Sequence, residues 1–129
     1  MTIMFAVLGV GIVFALALIV DGGRQLGALT QAQHLADNAA RAGSQEVDLD
    51  VWRTTGVPDL DPARAEAEAR AFLFGGVASG RVQIVDVTVA GPDITVEVIV
   101  NRELFLLATR PARAVESASA LDGITESTP

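Results

Sequence analysis

The sequence predicts an α+β protein: a long N-terminal helix, its first half transmembrane, carrying a small head with one further helix and about three antiparallel strands. Three observations predict it. Residues 1–20 (MTIMFAVLGVGIVFALALIV) carry no ionisable side chain; the first is Asp21. Residues 25–41 are dominated by helix formers, and no Pro occurs before Pro58. Residues 94–101 alternate Ile94, Val96, Val98 and Val100 with Thr95, Glu97 and Asn101, the period-2 pattern of a half-buried strand.

The first segment has the length of a membrane span. Twenty residues at about 1.5 Å each cover about 30 Å, the thickness of a bilayer's hydrocarbon core. Thr2 is its one polar side chain. A cleaved secretory signal would want a basic start, a shorter apolar run and a small-x-small exit. Ala15-Leu16-Ala17 imitates that exit, but the run continues to Val20 and no basic residue precedes it. The expectation is one pass through the cell (inner) membrane. The arginine distribution says little about orientation; the short N-terminal flank favours a C-terminal head outside the cytoplasm.

The helix is expected to continue to about Ala42, with a weak point at Gly22-Gly23 and a stop at Gly43-Ser44. Such a helix is about 60 Å long. Asp37 and Arg41 form a favourable i, i+4 pair. Its small residues make a candidate helix-packing seam: Gly11 and Ala15 in the span, then Gly23 and Gly27, then Ala28, Ala32, Ala36 and Ala40. Small residues let helices approach closely. Either neighbouring helices or the head itself would pack there. At the membrane exit, Asp21 would pair with Arg24 of a neighbour, or with its own Arg24 in wet headgroup.

The head is expected over residues 44–121, after the span (1–20) and the extramembrane helix (21–43), with a loose tail at 122–129. Residues 45–61 are a connection in which Val47, Leu49 and Val51 suggest a short extended piece, with Trp52 as its core anchor. Asp61-Pro62 starts a helix that runs to about Phe74, with Ala65, Ala69, Phe72 and Leu73 as its apolar stripe and Gly75-Gly76 as its stop. Glu66 and Arg70 pair on its wet side. Residues 82–89 form a strand whose alternation slips at Ile84-Val85, the mark of a bulge or of burial on both faces. Ala90-Gly91-Pro92-Asp93 turns into the second strand. Residues 112–121 suit a small-residue third strand, antiparallel to the second, though their composition also favours helix. Between them Leu104, Phe105, Leu106 and Leu107 form a candidate partner patch, or close the bottom of the core.

Composition excludes several functions. The chain has 129 residues, room for one small domain and one appendage. Half the residues are apolar but 5% are aromatic, so 21 Ala and 16 Val must build the core. The nine basic residues are all Arg, against 16 acidic ones, and no basic stripe suits a nucleic acid. Without Cys there are no disulfides and no thiolate chemistry. His34 lacks companions for a metal site. Ser117 and Ser119 lack a base and an elbow glycine. Glu46, Asp48, Asp50, Asp59 and Asp61 crowd one stretch without calcium-loop spacing. No catalytic residue, cofactor, metal or small-molecule substrate is expected.

At residues 21–24 (DGGR), followed by QLGALTQAQHLADNAARAGSQEV, the sequence resembles the TadE/TadG-like proteins of bacterial tight-adherence (Flp-type) pilus systems. Asp21, Gly23 and Arg24 match that family's membrane-exit motif. Gln33, Asp37, Ala39, Ala40, Arg41, Ala42 and Gly43 match its helix pattern. The LDPA element (Leu60–Ala63), the hairpin and the small last strand are similar to the short TadE-like members. The resemblance implies a minor pilin or pseudopilin that helps assemble a thin adhesive filament, with the lipid bilayer, other pilin-like subunits and membrane assembly components as partners. The alternative is a single-pass, membrane-anchored binding module with the helix as a tether. The family's prepilin-like members are cut after a Gly that precedes a Glu; that Gly-x-x-x-x-Glu site is not found at this N-terminus.

Overall fold

A computed structural model describes residues 1–101 and 111–120. The elements follow in the order α1 (Thr2–Ser44), α2 (Leu49–Thr55), α3 (Pro62–Ala78), β1 (Val82–Ala90), β2 (Asp93–Val100) and β3 (Ala112–Ser119). The strands form an antiparallel meander in the order β1-β2-β3. The second half of α1 packs on β2 and β3, and α3 packs on α1 and β1. The apolar first half of α1 is uncovered by the head.

Local chemistry sets the helix ends. The backbone of α1 stays helical through Gly22-Gly23. In its last turns the Arg41 guanidinium holds Asp37 at 3.1 Å, and a cation there also suits the helix dipole. Asp48 then caps α2, its Oδ1 accepting from the N–H groups of Asp50 (2.9 Å) and Val51 (3.1 Å). That cap corrects the expected extended piece: only Val47 bridges Leu60 as a strand would, and the chain is helical from Leu49. Asp61 caps α3 as expected, accepting from Ala63 and Arg64 at 3.1 Å each. Glu66 takes Arg70 at 2.8 Å.

α3 runs past its expected stop. Gly76 is a site of close approach, not a terminator: a Cβ there would lie 2.6 Å from Val82 Cγ2. The helix ends at Ala78, with Ser79 as its C-cap before Gly80 at φ +71°.

The sheet has one core face. Ile94, Val96, Val98 and Val100 of β2 are buried, and pair across with Val89, Val87, Ile84 and Val82 of β1. The register shifts between Ile84 and Asp86, so Val85 is the extra residue of a bulge, and it is exposed. On β3, Ala112, Ala114 and Ala118 occupy the core face. Ala114 and Ala118 join Ala32, Ala36, Ala39 and Ala40 of α1, with Ala65, Ala69 and Leu73 of α3, in one core cluster. Alanine on both sides of the α1–β3 contact lets backbone approach backbone, while β2 supplies the bulk. Each fully buried Val, Ile or Leu contributes about 1.5–3 kcal/mol. On the outer face Arg113 pairs with Glu97.

Two apolar residues are not where the sequence puts them. Trp52 is 45% exposed and anchors no core, because α2 has no buried residue. Phe72 is half exposed too; Leu73 takes the buried place beside it. Leu104–Leu107 and the tail lie outside the described residues.

Two substitutions separate core from surface. Leu73→Ala should cost about 2–5 kcal/mol, and Trp52→Ala under about 1 kcal/mol, by chemical denaturation of the full chain in detergent. Gly43→Ala should cost about 1–3 kcal/mol, because its Cβ would lie 2.8 Å from the Ala65 carbonyl oxygen and meet Ile94 Cδ1.

Candidate functional site

The residues singled out in the sequence converge on α1, and the structure sorts them onto different faces. Ala28, Ala32, Ala36 and Ala40 are each 0% exposed. The head covers them, one of the two uses open to that row. A helix turns about 100° per residue, so Gly27 lies about 100° round from Ala28, and Gly23 farther still. Both glycines are exposed, and a Cβ on Gly23 would meet nothing within 4 Å. The seam is therefore two surfaces. The alanine row is occupied within the chain. The Gly23–Gly27 pair looks away from the head. Beyond it the same side of α1 shows exposed Leu26, Thr30, His34 and Arg41.

Within the span, Gly11 and Ala15 are exposed. They line a shallow apolar notch with Met4, Phe5, Leu8 and Ile12. The notch carries no polar side chain, so its chemistry suits lipid tails or another apolar helix.

The membrane-exit residues behave unequally. Asp21 is 0% exposed and is engaged in an interaction rather than left free. Its burial differs from the wet surroundings expected for it. The sequence carried a signal for it: Asp21 precedes Ala28, Ala32 and Ala36 by 7, 11 and 15 residues, spacings that keep one helix face. A buried carboxylate needs partners, because an unpaired one costs several kcal/mol. Arg24 is exposed and lies with Leu16, Ala17 and Val20 at the end of the apolar run. Its stem can lie on apolar surface while the guanidinium stays in water.

The remaining candidates carry local structure. Asp48 and Asp61 are helix caps, and Asp59 Oδ1 accepts the Leu60 N–H at 2.9 Å. Asp50 holds Arg53 at 3.5 Å. His34 and Ser117 are exposed. The Leu104–Leu107 patch lies outside the described residues.

These placements can be compared with known proteins. Residues 1–53 match the family model described as "Putative Flp pilus-assembly TadE/G-like". The matched stretch contains all of α1 and the start of α2. This N-terminal part of the chain is thus TadE/G-like, as its DGGR exit and helix pattern led one to expect, and its apolar helix is a candidate membrane anchor. No curated protein and no solved structure matches the chain.

The two faces of α1 should respond differently to bulk. Ala36→Leu should destabilise the head by about 1–3 kcal/mol through overpacking. Gly23→Leu should leave its stability within about 0.5 kcal/mol. Denaturation midpoints of the detergent-solubilised variants check both.

Proposed function

We propose that this TadE/G-like chain is a membrane-inserted minor pilin or pseudopilin that takes part in assembling a tight-adherence type pilus. Its head lies outside the cytoplasm, it packs against other pilin-like subunits through α1, and it has no catalytic role. The observation that carries this reading is the uncovered side of α1. One unbroken helix leads from an apolar, lipid-length segment into the core of the head, and the head leaves Gly23 and Gly27 exposed on it. A tether would need neither that continuity nor a small-residue pair beyond the membrane edge. Two glycines four apart allow helix backbones a close crossing. The family match over residues 1–53 supports the same reading, since it spans this helix.

The competing reading is a membrane-anchored binding module. The two part on one experiment. In the producing cell, Gly23→Leu with Gly27→Leu should lower the yield of sheared surface filaments at least about tenfold, while membrane-bound protein stays at its normal level. Unchanged filament yield would favour the tether. A protease added to intact cells should remove the head but spare it in inverted membranes; the reverse result would overturn the orientation.

A further inference from the structure

Among the described residues, the charged groups of the head are distributed unevenly along α1, and the exposed ones nearest the membrane are basic. Gly43, near the far end of α1, lies against Ile94. Val100 is six residues farther along β2, about 20 Å at the usual strand rise. The buried face of α1 from Ala28 to Gly43 packs along β2 and β3, so this end of the sheet points back towards the span. The Asn101 N–H donates to the Arg81 carbonyl at 3.0 Å there. Arg81 is exposed, as is Arg24, one turn after the apolar run. Neither is in an ion pair with a described residue. Asp21, the described carboxylate nearest the span, is buried and engaged. The carboxylates Glu46, Asp48, Asp50, Asp59 and Asp61 sit at the other end. The Glu46 backbone carbonyl accepts the Asp61 N–H there.

Distances decide which of these charges a membrane would feel. Twenty Å back along α1 from Gly43 is about 13 residues, so Arg81 stands level with about residue 30. That is about 15 Å beyond Val20. The headgroup zone fills about 5–7 Å of this distance. A span tilt of about 20° and the long arginine stem close the rest if Arg81 is on the low side. The acidic end is about 35 Å beyond Val20, several Debye lengths from the lipid at physiological salt. It neither attracts nor repels the surface.

We propose that Arg24 and Arg81 together form a seat for the phosphates of anionic lipids, which draws the base of the head onto the bilayer and sets the direction in which α1 tilts. This rests on the membrane-inserted reading above. It does not depend on which side of the membrane the head occupies.

The absence of cysteine gives a clean test. The full chain carries one fluorophore at Ala78→Cys, an exposed position near Arg81, or at Thr54→Cys in α2. It is reconstituted into vesicles that contain a quencher on the lipid headgroup. Vesicles of phosphatidylcholine alone are compared with vesicles in which about a third of the lipid is phosphatidylglycerol. Quenching at residue 78 should be at least about twofold greater in the anionic vesicles. That gain should vanish with Arg81→Glu or in about 1 M salt, where the Debye length falls to about 3 Å. Arg81→Lys should retain it, and the label at residue 54 should show no difference. Equal quenching at residue 78 in both lipids, or a gain that survives Arg24→Gln with Arg81→Glu, overturns the seat alone. A chain that fails to float with either kind of vesicle overturns the membrane reading as well.

Discussion

The structure depends on one constraint: α1 must be a lipid-facing helix along its first half and a core element along its second. Lipid asks for apolar side chains all round. The head asks for one face that a sheet can approach closely. The chain meets both with a change of residue size. Ile, Val, Leu and Phe dominate to Val20, and from Ala28 the inward face is Ala28, Ala32, Ala36, Ala39, Ala40 and Gly43. Because that face is small, bulk must come from elsewhere. β2 supplies it with Ile94, Val96, Val98 and Val100, and α3 with Leu73.

The same constraint explains how the head survives with few aromatics. Much of the buried side of α1 stands in for a second layer that a domain of this size would otherwise lack. The head is therefore coupled to the anchor, not hung from it. A rotation of the helix in the membrane would rotate the sheet with it, because no loop separates them. The uncovered side of α1 and the end of the sheet that carries Arg81 then hold fixed positions relative to that helix.

What was legible in the sequence was whatever local chemistry decides. The Asp61-Pro62 start of α3, the Asp37–Arg41 and Glu66–Arg70 pairs, the hairpin and the bulge at Val85 all follow from residue types at short spacing. Short-range reasoning went wrong where a nearby residue changed the balance. The Asp48 cap made a helix of a stretch whose alternation looked extended. Gly76 served close packing on Val82 instead of ending its helix.

The sequence by itself determined that a charge-free segment of lipid length leads into a helix, that an α+β head follows, and that disulfide or thiol chemistry is absent. Composition and periodicity decide these, and neither needs a neighbour. Only the tertiary structure decided which side of α1 is spent. Helical spacing groups residues into faces but does not say which face meets the sheet; that depends on β3 being small enough to approach Ala32, Ala36 and Ala40. Likewise Asp21, which reads as a surface charge at a membrane edge, is buried, while Trp52, which reads as a core residue, is exposed on α2. Burial is a property of what packs above a residue, and the chain alone does not say what that is.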